Sequence, residues 1–155
     1  MFGRIDTRLK ELGLELPRPA KPAANYVPTV RTGNLVYVAG QVPMVDGIFK
    51  YQGKLGQDFS TEEGKACARL VALNVLAQLK EACGGDLDRV QRAVKLNGFV
   101  NCVPEFAEQP HVINGASELL IEVFGENGRH ARSAVGTASL PFGVAVEIDG
   151  VFEVE

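Results

Sequence analysis

Apolar residues recur along this chain with two different periods, and the two periods predict a mixture of helices and strands. A spacing of three and four residues, typical of one helix face, predicts helices over about 5–12, 61–83 and 110–124. Alternation of apolar and polar residues predicts strands over about 90–102 and 144–154, and further strands are expected over about 26–32, 35–40 and 133–138. The order, a helix followed by β-β-α-β-α-β-β, indicates an α+β domain in which two helices cover a sheet.

Local signals mark the ends of these elements. Ser60 and Glu63 fit a capping box at the start of the long helix. Gly33-Asn34 matches a hairpin turn between the first two strands, and Pro28 places the first strand at a sheet edge, because proline cannot donate to a neighbouring strand. The apolar run 35–39 predicts a strand that is buried on both faces.

Three segments depart from regular periodicity. Residues 42–59 are rich in glycine and are expected to form a long loop, and Gly98 is the expected position of a bulge in the strand over 90–102. Residues 16–24 carry three prolines in nine positions, which predicts an extended connector. We therefore divide the chain into an N-terminal helix with a Pro-rich connector (1–19) and one domain (20–155).

Two helices can cover only one face of the predicted sheet. The other face carries small and apolar residues, with no further helix to bury them. Self-association is the simplest way to remove that face from water.

The composition excludes several classes of protein. A net charge of −3 on 155 residues, with acids and bases interspersed, argues against a nucleic-acid-binding surface. The three cysteines show no zinc-ligand spacing and are expected to be reduced and buried. The N-terminus does not resemble a signal peptide, and no apolar run reaches the ~18–20 residues of a membrane span. We expect a soluble cytoplasmic protein that contacts no membrane and needs neither a metal nor an organic cofactor.

Two charges stand out because they interrupt strands of small or apolar residues. Arg132 begins the strand over 133–138, and Glu147 lies in the last strand on the same face as Asp149 and Glu153. A guanidinium can anchor an anionic substrate through two parallel bonds, and a carboxylate can place a water or move a proton. The alternatives are an internal ion pair, for example between Arg132 and Glu147, and a solvated acidic face.

Weaker signals surround these two charges. Tyr26 can line a pocket with its ring, Asn114 can bond a ligand through its amide, and Gly40 allows a close approach to the main chain; each is also compatible with ordinary packing or exposure. His130 lies two residues before Arg132 and can border a pocket. No pattern of a nucleophile triad or of a phosphate-binding loop occurs.

Three stretches of the sequence carry a family resemblance: NYVPTVRTGNLVYVAGQVP, GGDLDRVQRAVKLNGFV and ARSAVGTASLPFGVAVEI. They resemble the YjgF/RidA family of enamine/imine deaminases over residues 20–154. The resemblance implies a chorismate-mutase-like α+β fold, assembled as a homotrimer with clefts between subunits. It also implies that Arg132 grips a substrate carboxylate and that Glu147 places the attacking water. By the same resemblance Tyr26, Gly40, Asn114 and Ala134 bind substrate.

At position 134 the sequence departs from the family, which usually has cysteine two residues after the arginine. Three functions therefore stay open. The first is hydrolysis of small 2-imino or enamine acids to 2-keto acids and ammonia. The second is a non-catalytic trimer that binds a small carboxylate, and the third is the RNA cleavage reported for some family members.

Overall fold

A five-stranded mixed sheet is the centre of the structure, a computed structural model that describes residues 3–22 and 24–155. Its strands are β1 (Thr29–Thr32), β2 (Leu35–Gln41), β5 (Val90–Asn101), β6 (Ala131–Thr137) and β7 (Val146–Val154). They lie in the order β1-β2-β7-β5-β6, with β5 and β6 parallel and the other neighbours antiparallel. Met1, Phe2 and Ala23, which belong to the predicted N-terminal segment and connector, lie outside the described residues.

Three helices complete the fold: α1 (Arg4–Glu11), α2 (Thr61–Ala82) and α3 (Gln109–Phe124). Helix α2 starts as predicted, since Ser60 Oγ accepts from the amide of Glu63 and Glu63 Oε1 accepts from the amide of Ser60. Helices α2 and α3 pack on one face of the sheet, where the core includes Leu76, Ile148 and Phe152. The predicted α+β architecture is confirmed.

A carboxylate fastens the N-terminal helix to the domain. Asp88 Oδ2 accepts from the amide of Arg4 (2.9 Å), and Oδ1 accepts from the amide of Ile5 (2.8 Å). The side chains of Ile5 and Leu9 are buried in the core. Asp88 therefore satisfies two of the free amides of the first turn and fixes the helix against the domain.

Two sequence predictions about the hairpin and the following loop need correction. Strand β2 is not buried on both faces, because Tyr37 points away from the helices and is 47% exposed. The segment 42–59 is not entirely a loop, since β3 (Met44–Val45) and β4 (Ile48–Phe49) pair in a small second sheet.

The predicted bulge at Gly98 is also wrong. The pairing of β5 with β7 shifts between Val90 and Arg92 and between Ala93 and Lys95, and it is regular at Gly98. Gly98 instead lies under α3, where an added Cβ would come within 2.6 Å of Ile113 Cδ1. The glycine is there because a helix packs closely on the strand.

The sheet face away from the helices carries exposed apolar side chains. Val30, Tyr37 and Val135 are each about half exposed on it, and Phe99 lies between β6 and β7 in the same row as Val135. We call this surface the open face. Its apolar character agrees with the prediction from the two-helix layout.

The three cysteines are buried and form no disulfide, as predicted. Burial raises the pKa of Cys67 to about 12, so its thiol stays protonated and unreactive at neutral pH.

Asp88→Ala should lower the free energy of unfolding by about 1 kcal/mol at pH 7, because two amides at the start of α1 lose their acceptor. The bonds from Arg4 and Ile5 lower the pKa of the Asp88 carboxyl. The contribution of Asp88 to the free energy of unfolding is therefore complete above the pKa that this carboxyl has in the unfolded chain. It is lost as the pH falls through the lower pKa of the carboxyl in the folded protein.

Urea unfolding of the wild type, Asp88→Ala and Asp88→Asn at pH 7 and pH 3 checks this prediction. Asparagine keeps one acceptor oxygen, so its free energy of unfolding should lie between the other two at pH 7. Identical midpoints for all three proteins at pH 7 would contradict the role of the cap.

Candidate active site

Arg132 lies on the edge strand β6, and its guanidinium is held by the neutral acceptors of one helix. Nη1 donates to Asn114 Oδ1 (2.8 Å) and to Ser117 Oγ (3.1 Å), and Nη2 donates to the carbonyl oxygen of Pro110 (3.2 Å). No carboxylate pairs with it among residues 3–22 and 24–155. The ion pair with Glu147, one alternative from the sequence, is thus not formed within the chain.

Arg132 keeps donors that are available to a carboxylate. A guanidinium has five N–H donors, and it makes three hydrogen bonds to these acceptors. The Nε–H and one Nη2–H have no partner in the described part of the chain, and the Nε and Nη2 atoms lie on the same edge of the planar group. Partial burial lowers the pKa of Arg132 from its ordinary value, but an arginine remains charged at neutral pH. Within the described residues the guanidinium therefore has no counterion and keeps two donors for a ligand.

Tyr26, Gly40 and Glu147 come together in a pocket of about 330 Å³ at the end of strand β2. We call it the Glu147 pocket. Its walls are mostly apolar, and Phe49 and Phe142 stack in it with ring centroids 4.5 Å apart. The pocket has the mixture of apolar walls and few polar groups that is typical of small-molecule sites.

Gly40 places the carboxylate of Glu147. The pairing of β2 with β7 is irregular between Val38 and Gln41, and Gly40 lies in that irregularity. An added Cβ at Gly40 would come within 2.5 Å of Glu147 Oε2. The sequence suggested that Gly40 lets a ligand approach the main chain; in the structure the group that approaches it is the carboxylate itself.

Glu147 is held in an environment that disfavours its charge. Burial, and then the nearby carboxylate of Asp149, raise the pKa of Glu147 above the ordinary value. Asp149 Oδ1 accepts from Asn97 Nδ2 (2.7 Å), which fixes the second carboxylate. The carboxylate of Glu147 makes no hydrogen bond or ion pair with any residue of 3–22 or 24–155. A half-buried carboxylate with a raised pKa is suited to accepting a proton near neutral pH.

Strand register separates the six predicted residues into two groups. Arg132 pairs with Leu96, which is buried under the helices, whereas Glu147 pairs with Phe99 on the open face. Because side chains alternate along a strand, Arg132 and Glu147 lie on opposite faces of the sheet in one chain. Asn114 and Ala134 belong to the Arg132 side, where Ala134 packs against the core.

Sequence reasoning missed Ser117 beside Arg132 and predicts His130 only as the border of a pocket. In the structure, Ser117 bonds both to Arg132 and to His130. The spacing of Asn114 and Ser117 was a usable signal, since residues three apart share a helix face.

Other chemistry finds little support in the described residues. Within 3–22 and 24–155, no cluster of three potential metal ligands occurs. No described helix is long and apolar enough to cross a bilayer.

Comparison with known proteins places the chain in a family. A family model described as "YjgF/chorismate_mutase-like, putative endoribonuclease" matches residues 6–148. Protein TCP17 of Trypanosoma cruzi is 52% identical over 152 residues, which cover 97% of this chain and 94% of that protein. The chain therefore belongs to the YjgF/chorismate-mutase-like family, and the resemblance seen in the sequence is confirmed.

Solved structures agree with this assignment. The protein Atu1372 of Agrobacterium tumefaciens, whose function is described as unknown, is 53% identical with a TM-score of 0.91, over 97% of this chain and 92% of that one. A Shewanella oneidensis protein described as a "putative endoribonuclease" is 38% identical with a TM-score of 0.94, over 98% of this chain and 100% of that one.

Asp149→Asn should lower the pKa of Glu147 but leave it above the ordinary value, because burial is the larger cause and remains. Glu147→Gln should stabilise the fold at pH 7, since a carboxyl whose folded pKa is raised costs stability once the pH exceeds that of the unfolded chain. Below pH 4 that gain should disappear.

Carbon-13 NMR titration of the glutamate carboxyls, with Glu147→Gln to assign the resonance, measures the pKa. Thermal unfolding at pH 7 and below pH 4 measures the stability. A Glu147 resonance that titrates like an exposed glutamate would contradict the assigned environment.

Proposed function

We propose that this protein hydrolyses small 2-imino or enamine acids to 2-keto acids and ammonia, at clefts between the subunits of a homotrimer. The observation that carries the proposal is that Arg132 has no carboxylate partner among the described residues and keeps its Nε–H and one Nη2–H free. A desolvated guanidinium that is held only by neutral acceptors favours binding of a small anion. A cytoplasmic location agrees with this function.

The reaction needs no more than one anchor and one proton acceptor. Arg132 binds the carboxylate of the imino acid through two charge-assisted hydrogen bonds. Glu147 accepts a proton from a water molecule as the water oxygen adds to the imine carbon. Glu147 then returns that proton to the nitrogen, which completes the carbinolamine. As the carbon–nitrogen bond breaks, Glu147 moves the proton of the new hydroxyl group to the nitrogen, so that ammonia and the keto acid leave. One water is consumed and nothing is oxidised or reduced.

The opposite orientation of Arg132 and Glu147 supports assembly from several copies. Within one chain the two groups are on different faces of the sheet, so one substrate contacts both only when a second copy supplies one of them. The apolar open face supplies a surface for that copy, and Arg132 is on an edge strand. A cleft between subunits would therefore bring the cationic edge of one copy to the Glu147 pocket of the next.

Ala134 favours a second candidate, a trimer that binds a small carboxylate without turnover. No thiol is available at position 134, so a function that needs the family's cysteine side chain is lost. The anchor and the pocket are both retained, which favours hydrolysis over binding alone. RNA cleavage, which the family description names, is less favoured because the chain is acidic overall.

Arg132→Lys should lower kcat/KM for freshly generated 2-iminopropionate by roughly 10- to 100-fold, because lysine keeps the charge but cannot make the bidentate contact. The matched control is Arg69→Lys, which makes the same change at an exposed ion pair with Glu122 on the helical side. The control should retain wild-type kcat/KM. Keto-acid release is the measurement.

Equal rates for Arg132→Lys and the wild type would contradict the anchor. A wild type that is stabilised by pyruvate yet releases no keto acid would indicate the binding protein instead. RNA cleavage by the wild type that persists in Arg132→Lys would reject both the hydrolase and the binding protein.

Val135→Glu should prevent trimer formation, because it puts a charge into the open face. The wild type is expected at about three times the 16.7 kDa chain mass by light scattering. The variant should be monomeric, keep its far-ultraviolet circular dichroism and lose keto-acid release. A wild type that is monomeric and active would refute the cleft between subunits.

A further inference from the structure

Ser117 and His130 form a hydrogen-bonded chain that ends on Arg132. His130 Nδ1 is 2.6 Å from the carbonyl oxygen of Gly128, and His130 Nε2 is 2.9 Å from Ser117 Oγ. Ser117 Oγ in turn is 3.1 Å from Nη1 of Arg132. Three atoms of two side chains thus link a backbone carbonyl to the proposed substrate anchor.

The chemistry of the groups fixes the direction of every bond in this chain. The carbonyl of Gly128 can only accept, so His130 Nδ1 carries a proton. Burial, and then the charge of Arg132, lower the pKa of His130, which leaves the ring neutral at pH 7 with Nε2 as an acceptor. The hydroxyl of Ser117 therefore donates to Nε2, and its oxygen lone pairs accept from Nη1.

Burial, and then the charge of Arg132, lower the pKa of His130 and keep the ring neutral. Arg132 on β6 faces the ring, and Arg129 lines the same groove of about 340 Å³. The carboxylate of Glu126 pairs with Arg129, and no carboxylate bonds to His130 within the described ranges. The hydrogen bond to the carbonyl of Gly128 favours protonation of the ring, but the effect of burial is larger.

The three acceptors of Arg132 follow one face of α3. Pro110, Asn114 and Ser117 are spaced four and three residues apart, so they lie in a row along the helix. The guanidinium lies along that row, with Nη1 between the last two acceptors. Ser117 differs from the other two acceptors, because its hydroxyl group can rotate. Its oxygen is held in place as an acceptor for Arg132 only when its O–H donates a hydrogen bond to His130.

We propose that Ser117 and His130 are positioning residues that hold Nη1 of Arg132 and so keep the Nε and Nη2 edge directed at the carboxylate of the ligand. The ligand side of this inference rests on the proposed function. Ordering an arginine costs rotamer entropy, and a pre-formed set of acceptors removes that cost from the binding step.

Ser117→Thr and Ser117→Val are a matched pair that isolates the hydroxyl. The two side chains have nearly the same shape, and Ser117 borders the open groove that leaves room for an added methyl. Threonine keeps the donor to His130 and the acceptor for Arg132, whereas valine removes both. His130→Phe tests the other half, because it keeps an aromatic ring but has no acceptor nitrogen.

Two measurements separate the positioning role from the proposed function. Nitrogen-15 NMR of the Arg132 guanidinium reports how fast it rotates, with no ligand present. Titration with pyruvate and steady-state kinetics report binding and turnover. We expect slow rotation in the wild type and Ser117→Thr and faster rotation in Ser117→Val and His130→Phe. The last two should also bind pyruvate about 3- to 10-fold more weakly, with KM raised by the same factor and kcat unchanged within about twofold.

The double variant Ser117→Val/His130→Phe should be no worse than either single variant, because the two residues act as one unit. Equal rotation and equal affinity in the threonine and valine variants would overturn the inference. An Nε2–H tautomer of neutral His130, seen by nitrogen-15 NMR, would also overturn it. If the wild type shows slow rotation but binds no carboxylate, the proposed function fails while the hydrogen-bonded chain itself is supported.

Discussion

The central constraint on the candidate site is the charge of Arg132, which has no counterion among the described residues. Arg132 is partly buried, and burial of a guanidinium costs free energy unless its donors are satisfied. Three neutral oxygen atoms of helix α3 accept hydrogen bonds from the guanidinium and offset part of that cost. The Nε–H and one Nη2–H have no partner among the described residues. A structural ion pair would have used these donors. The arrangement is therefore suited to the reversible binding of an anionic ligand.

The second charge of the candidate site, Glu147, is placed by a different constraint. Glu147 sits against Gly40, where any larger residue would displace its carboxylate, and it lies beside Asp149 in partial burial. Partial burial and the neighbouring carboxylate of Asp149 raise the free energy of the charged form of Glu147. A carboxylate with a raised pKa lowers the stability of the fold at neutral pH, but it can take a proton from water more readily than an exposed one.

Arg132 and Glu147 lie on opposite faces of one sheet within the chain. Among the described residues, no helix covers the apolar open face. In the proposed assembly a second copy would cover the open face, and an Arg132 of one copy would meet the Glu147 pocket of another. Binding, catalysis and assembly would then all depend on contacts between copies.

Much of this protein follows from local sequence. The capping box at Ser60, the edge position of β1 and the helices over α2 and α3 rest on short-range patterns, and the closing signature identified the family and singled out Arg132 and Glu147. Longer-range packing decided the rest: Gly98 is a contact under Ile113 instead of a bulge, and Tyr37 is exposed because β2 has only one helical side. Sequence periodicity assigns residues to faces within an element, but it carries no information about which element lies opposite. The tertiary structure alone therefore brought Ser117 and His130 to Arg132 and separated Arg132 from Glu147.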